Sequence, residues 1–389
     1  MFFIDRPYIS DFFKATVRDN SIPVVNTNIA QKLGTYKGTN LISEDQAIEM
    51  VKKSENLPIY STSENAIGWI SKNLAFTDLP EKIESFKNKL KFRRQISPMF
   101  PRFYFKGVDL DDINRIDFNK LPLPFIIKPA VGFMSIGVYK ISNREEWKQA
   151  VESIGREIKY AQKLYPAEVL NTTTFIIEEC INGDEFAVDA YYNQSGKPVI
   201  MNIFNHAFSS DSDVSDRVYI SSKKIIEENI KEFTEFLRQI GELTGVKNFP
   251  VHVELRRDRD GSLLPIEVNP MRFGGWCTTA DITFLSYGFN PYLYYYMQKE
   301  PNWAEILEGK DGKLFSIIVL DNSTGVPGKD IRSFNYEKLL SRFERPLELR
   351  KIDFKQYPLF AFLFTETRED NFSELKYILD SDLTEFITI

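Results

Sequence analysis

Two cysteines and two histidines in 389 residues rule out several chemistries at once. Cys180 and Cys277 lie far apart, which excludes a disulfide framework and paired-cysteine zinc spacing. His206 and His252 are too few for a histidine-rich metal centre, and neither accompanies a G-x-S-x-G or catalytic-cysteine signature. Neither a Walker A loop nor a G-x-G-x-x-G after the first strand-like run is present. Basic charge is not in excess: 49 Lys and Arg stand against 55 Asp and Glu, and the net charge of −6 offers no field for nucleic acid. Long apolar runs are also missing. YPLFAFLF is too short to span a bilayer, and Asp5 and Arg6 interrupt the opening MFFIDRPYIS where a signal peptide would stay apolar. These absences predict a cytoplasmic protein with neither a nucleic-acid nor a membrane partner.

The composition that remains, 43% hydrophobic and 27% charged, is globular, and the length allows two or three domains with substantial cores. Strand-like and helix-like runs alternate, giving a fold class of α/β and α+β. Residues 1–85 read as a small α/β domain. Here SENAIGWISKNL is a helix that sets Ile67, Ile70 and Leu74 on one face, with Ser63 as its N-cap. Residues 81–97 read as one basic helix, and SNREEWKQAVESI as a helix capped by Ser142 with Glu145 completing a capping box. Residues 86–190, 191–310 and 311–389 follow as further units, the last an α+β run.

The richest pattern is a pair of strand-like runs, VHVELRR and LLPIEVNP, joined by a turn centred on Asp260-Gly261. A two-residue turn there sets Glu254 opposite Glu267 and His252 opposite Asn269. Two carboxylates roughly 4.5–5.5 Å apart at Cβ destabilise a sheet unless a cation lies between them. Carboxylates with an amide oxygen suit a hard ion, Mg²⁺ or Mn²⁺. The alternative is a solvent-facing hairpin whose acids pair with Arg256, Arg257 or Arg259.

Upstream, Lys128 ends the apolar strand PFIIKP before AVGFMSIG, where Gly132, Ser135 and Gly137 allow backbone amides to approach phosphate. In IIEECINGDEFAV a strand ends in Glu178 and Glu179, passes Cys180 and Ile181, turns at Asn182-Gly183 and re-enters a strand with Glu185. Such a segment can present backbone groups to a base edge and a carboxylate to ribose hydroxyls; an ordinary β-hairpin with solvated acids reads equally well.

In this order, a helix lysine, a strand lysine with a glycine loop, E-E-x-I-x-G-x-E, and then H-x-E with E-x-N resemble the ATP-grasp superfamily over residues 85–285. The resemblance implies the ATP-grasp fold behind a small N-terminal α/β domain, with ATP and Mg²⁺ (or Mn²⁺) as cofactors. Lys128 matches the lysine on the α- and β-phosphates, and Lys89, with Lys91 as a rival, the earlier lysine of a K-x-x-x-R helix. Gly132, Ser135 and Gly137 resemble the loop over the β- and γ-phosphates. Glu178, Glu179, Cys180 and Ile181 fall at the adenine positions, Glu185 at the ribose, and Glu254, Glu267 and Asn269 at the metal ligands.

Members of this family phosphorylate a carboxylate, and an amine then attacks. The resemblance is closest to the L-amino-acid ligases, which implies small carboxylate and amine substrates and leaves a homodimer open. A bicarbonate-using carboxylase and a non-catalytic Mg-ATP-binding regulator are the alternatives. Arg272 is the candidate for a substrate carboxylate or oxyanion, although Met271 adds one residue before it relative to the family's E-x-N-x-R. His252 is a candidate beside the metals, or a neutral partner behind them. Trp276 and Cys277 are candidates to line the acceptor pocket, or core.

Overall fold

The computed structural model describes the chain apart from residues 55, 133–136, 162–170 and 210–215. Four short strands open it, β1 (Phe2–Phe3), β2 (Val24–Val25), β3 (Leu41–Ile42) and β4 (Tyr60–Ser61). They pair in parallel in the order β3-β2-β1-β4. Parallel neighbours need crossovers. Helices α1 (Asp11–Asp19), α2 (Asn28–Leu33) and α3 (Glu44–Lys53) supply them, each begun by a hydroxyl, Ser10, Thr27 or Ser43, that accepts a hydrogen bond from a first-turn amide. The expected α/β unit is present, and α4 (Ile67–Asn73) follows a turn capped by Ser63.

The basic run 81–97 is two helices rather than the single one its composition suggests. Asn88 leaves the helical region (ψ 101°) between α5 (Leu79–Lys87) and α6 (Lys89–Ile96), and its side chain accepts from the Lys91 amide to cap the second. The break starts a new helix at Lys89, whose inward face carries Lys89 and Arg93, 8% and 3% exposed.

A second, antiparallel sheet is built from β5 (Phe105–Asp109), β6 (Phe125–Val131), β7 (Tyr139–Ile141) and β8 (Asn171–Glu179) in the order β5-β8-β6-β7. Helix α7 (Arg144–Ala161) covers it through Trp147, Ala150 and Ile154. Its cap lies one residue beyond Ser142: the Asn143 side chain accepts from the Glu145 and Glu146 amides, and Glu146 reaches back to the Ser142 amide. The capping box is therefore shifted by one, since a carboxamide serves at that position as well as a hydroxyl.

The third sheet is antiparallel, has eight strands and carries the site. Its members are β9 (Asp184–Tyr192), β10 (Pro198–Ala207), β11 (Val218–Ser222), β12 (Phe249–Arg257), β13 (Leu263–Pro270), β14 (Lys313–Asp321), β16 (Pro346–Lys351) and β17 (Leu359–Arg368), the short β15 (Ser333–Phe334) pairing elsewhere with Ile387–Thr388. The order is β13-β12-β9-β10-β11-β14-β17-β16, so the C-terminal α+β run extends the same sheet. Helix α8 (Lys223–Thr244) covers one face with Ile226, Phe233, Leu237 and Ile240, and Gly245 ends it in the left-handed region (φ 64°). Helix α9 (Thr278–Tyr287) lies against the other face, where Ile282 joins Ala187, Phe204 and Ile317. Among the described residues no helix is long and apolar enough to cross a membrane.

Two buried carboxylates tie these layers together. Glu64, just after β4, pairs with Lys87 of α5 and with Arg272 beyond β13. Glu178 of β8 pairs with Lys128 of β6 at 2.5 Å and Arg93 of α6 at 2.9 Å. Burial pushes each carboxyl up, but the paired cations outweigh it and hold both at about 2, below the usual 4.5. Because the folded values are depressed, the stability these groups contribute is present above pH 4.5 and is lost as pH falls toward 2. Acid unfolding followed by circular dichroism is expected to fall in that window. A Glu64→Gln, Glu178→Gln double variant is expected to be less stable at neutral pH and flatter in pH dependence; an unchanged acid limb would contradict the assignment.

Candidate active site

The paired glutamates face each other as their spacing predicts: Glu254 of β12 lies opposite Glu267 of β13, and His252 opposite Asn269. The turn differs from the expected two-residue form. The Gly261 amide donates to the Asp258 carbonyl and the Asp258 amide to the Ser262 carbonyl, enclosing Arg259, Asp260 and Gly261, with Gly261 at φ 87°. That loop alone would offset the ladder by one. A β-bulge between Glu254 and Leu255 and their partners removes the offset, because β13 passes from Pro265 to Glu267 while β12 advances one residue. Around the bulge, the Pro265 carbonyl accepts from Arg93 at 2.6 Å and the Ile266 carbonyl from Lys128 at 3.4 Å. One irregularity thus sets the acids in register and docks two cations beside them.

Strand alternation places His252, Glu254 and Arg256 on the sheet face opposite α8. Asp189, Ala187 and Glu185 of β9 stand directly across from them on the same face. Glu254 keeps 30% and Glu267 24% of side-chain exposure, so both acids reach solvent. Partial burial, then the charges of Glu267, Asp216 and Glu185, push the Glu254 carboxyl well above its usual value. A divalent ion between the acids would relieve that cost, and Asn269, 6% exposed beside them, adds a hard oxygen donor. The donor set fits Mg²⁺ or Mn²⁺ by its chemistry: two carboxylates and an amide. Among the described residues no group of three or more His, Cys, Asp and Glu is poised to hold a metal, so an ion here would rest on the two carboxylates and the Asn269 amide alone.

The cations converge on the same end. The Lys89 ammonium lies 3.0 Å from Glu267 and donates to the Gly132 carbonyl at 3.3 Å, which joins α6, the loop after β6 and the paired glutamates. Lys91 instead points away, 55% exposed and paired with Glu84, so the inward lysine is Lys89. Lys128 is 5% exposed, and burial together with Lys89 and Arg93 lowers its pKa despite its contact with Glu178. Gly137 takes φ 73°, the left-handed conformation that a glycine loop requires. Ser135 lies outside the described residues.

The run 178–185 is not a hairpin, because β8 and β9 belong to different sheets and the chain crosses between them here. Glu178 faces inward to Lys128 and Arg93, whereas Glu179, on the other side of the strand, accepts from the Tyr104 amide at 3.2 Å. Burial raises the Cys180 thiol, and the Ile181 carbonyl accepts from Arg256 at 2.7 Å. Glu185 meets Arg256 at 2.7 Å and His206 at 3.0 Å; burial pushes its carboxyl up, and these two partners outweigh it to leave it low. Gly183 has φ 101°, and a Cβ on it would sit 1.9 Å from the Arg257 carbonyl oxygen. Gly183→Ala is therefore expected to cost roughly 3 kcal/mol of stability in chemical denaturation. A loss under about 0.5 kcal/mol, the scale of a neutral surface change, would show that the crossing can relax.

Beyond β13, the additional Met271 is absorbed by a left-handed kink (φ 66°), and its carbonyl accepts from the Ser61 amide at 2.8 Å. Arg272 then turns toward the N-terminal sheet, meeting Glu64 at 3.1 Å and donating to the Phe273 carbonyl at 2.9 Å. His252 is oriented by Asp189 at 2.7 Å, with its other ring nitrogen 3.8 Å from Glu254. Asp189 also accepts from the Gly274 amide at 3.0 Å, fastening the segment after Arg272 to the sheet.

Sequence reasoning missed Asp189, Glu64 and the partners of Glu185. Asp189 was within reach, since it follows Glu185 by four residues in EFAVDAYY and so shares its face. Glu64 had no local signal, because its partners Lys87 and Arg272 lie 23 and 208 residues away along the chain. Two surface clefts lie away from these residues: one of about 240 Å³ at the start of α8 collects Lys223, Lys310 and Lys313, and one of about 350 Å³ lies by Arg342 and Tyr377.

Residues 121–280 match the family model described as ATP-grasp domain. The whole chain superposes on an L-amino acid ligase from Bacillus licheniformis with a TM-score of 0.68 at 17% identity, covering 100% of this chain and 97% of that one. An N5-carboxyaminoimidazole ribonucleotide synthetase from Thermotoga maritima gives 0.63 at 15% identity, covering 100% and 98%. A biotin carboxylase from Campylobacter jejuni gives 0.61 at 11% identity, covering 97% and 90%. At these identities the likeness is one of fold. Taken with the sheet order, the facing glutamates and the inward lysines, it makes this chain a protein of ATP-grasp fold that carries an ATP-grasp domain over residues 121–280.

Proposed function

We propose that this protein is an ATP-dependent carboxylate–amine ligase. The observation that carries the reading is the facing pair Glu254 and Glu267, with Asn269 beside them and Lys89 and Lys128 converging on the same end of the sheet. When bound, Mg-ATP supplies the phosphoryl group that converts a carboxylate to an acyl phosphate, which an amine then attacks to give an amide, ADP and phosphate.

The chain's own residues serve that chemistry by position and charge. Glu254, Glu267 and Asn269 hold the divalent ion. Lys89 and Lys128 balance phosphate charge, and Glu178 and Arg93 fix Lys128 in place. The crossing segment from Glu178 to Ile181, with Glu185 beyond the turn, seats the nucleoside. His252, oriented by Asp189, and Arg272, braced by Glu64, face the organic substrate, and Trp276 walls the acceptor pocket. None of this calls for a nucleophilic side chain, in keeping with a sequence that has so few histidines and cysteines.

The test is a screen of amino acids and small carboxylates for Mg-ATP-dependent phosphate release, with products weighed by mass spectrometry. The ligase reading predicts one ADP and one phosphate per condensed product. ADP release that needs bicarbonate and no amine would replace it with carboxylation, and tight ATP binding without turnover under every mixture would replace it with a regulatory role.

A further inference from the structure

The segment after β13 is strained at several residues. Met271, Trp276 and Cys277 all take positive φ (66°, 58° and 58°), a region that costs a residue with a side chain of order 1–3 kcal/mol unless its surroundings impose it. Three hydrogen bonds do so: from the Ser61 amide to the Met271 carbonyl at 2.8 Å, from the Gly274 amide to Asp189 at 3.0 Å, and from Arg350 to the Trp276 carbonyl at 2.8 Å. The third originates in β16, outside the residues that match the ATP-grasp family model.

Arg350 is 4% exposed. Its Nη2 meets Asp281 at 2.7 Å and Glu348 at 3.1 Å, Nε donates to Glu348 at 3.3 Å, and Nη1 donates to the Trp276 carbonyl. The planar group lies 5.0 Å from the ring centres of both Tyr8 and Phe364. It is thereby held in one orientation, and a rigid fork of donors fixes whatever carbonyl it binds. The ring of the same residue, Trp276, rests against Tyr357 (5.2 Å), Phe362 (5.6 Å) and Tyr8 (6.4 Å). Trp276 is only half-buried.

We propose that Arg350 is a positioning residue for the acceptor pocket: its hydrogen bond to the Trp276 carbonyl fixes the left-handed pair Trp276–Cys277 and holds the Trp276 ring as a pocket wall. The word acceptor rests on the ligase reading; the hold on Trp276 does not.

Arg217 is the matched control, equally buried at 5% exposed, but bound to Asp321 and to the carbonyls of Ile378 and Ser381. Acrylamide quenching of Trp276, taken as the difference between each protein and its Trp276→Phe counterpart, is expected to rise about twofold in Arg350→Met as local opening exposes the ring. It is expected to rise less in Arg350→Lys and not at all in Arg217→Met. With the amino-acid pair that gives most phosphate release in the screen, Arg350→Met is expected to raise KM for the amine about tenfold while leaving KM for ATP within about twofold. Unchanged Trp276 quenching in Arg350→Met, or an equal rise in Arg217→Met, overturns the proposal. If Arg350→Met does not fold, Arg350→Lys against Arg217→Lys carries the same comparison. Absence of any turnover would remove the ligase reading and leave the quenching result to stand alone.

Discussion

Glu267→Gln is expected to abolish ADP formation, lowering kcat by on the order of 10³-fold or more, while thermal unfolding moves little. The substitution keeps the shape of the side chain and removes its charge. Glu267 faces Glu254 across the ladder and also meets Lys89 at 3.0 Å, so it joins the proposed metal site to the proposed phosphate site. The amide leaves the pair with one carboxylate, too little charge to draw a hard divalent ion from water. The fold should tolerate the change, because relief of the repulsion that pushes Glu254 up offsets the loss of the charged partner of Lys89. Near-normal turnover by this variant would remove the metal assignment outright.

Lys128→Met is expected to cost both stability and activity. The ammonium is 5% exposed and lies 2.5 Å from Glu178, so its removal leaves a buried carboxylate with Arg93 as its remaining partner. Breaking a buried pair from one side typically costs about 3–5 kcal/mol. A Lys128→Met, Glu178→Gln double variant should recover much of that loss, since it removes the stranded charge too, but it should not recover ADP formation. The coupling between the two substitutions isolates structure from catalysis. Recovery of turnover together with stability would mean that Lys128 serves only the core.

The facing register of the glutamates was expected from a two-residue turn, and it is observed because a three-residue loop and a bulge cancel. Alternation along each strand is a local property, and it shows which residues share a face but not which stand opposite. The turn was misjudged by one residue, and the bulge near Glu254 that offsets it leaves no mark on the hydrophobic pattern, because Pro265 and Ile266 read as strand in either register. Helix boundaries failed for a similar reason. Asn88 sits in a run of good helix formers, and only its capping bond to the Lys91 amide reveals a break. The crossing between Glu178 and Glu185 looks like a hairpin from sequence because Asn182-Gly183 is a good turn, and only the sheet assignment separates β8 from β9. Most hidden were the long-range ion pairs. Glu64 with Arg272, and Arg350 with Asp281, join elements whose separation in the chain gives no periodic signal.

The central claim is that the facing glutamates hold a divalent ion that carries the nucleotide. Calorimetric titration of ATP into the protein, with Mg²⁺ or with EDTA, tests it most directly when run on the wild type and on Glu267→Gln. The account predicts that binding by the wild type is strongly Mg²⁺-dependent and that the variant loses this dependence. Equal ATP affinity with and without Mg²⁺ in the wild type, or an unchanged Mg²⁺ effect in the variant, would contradict it.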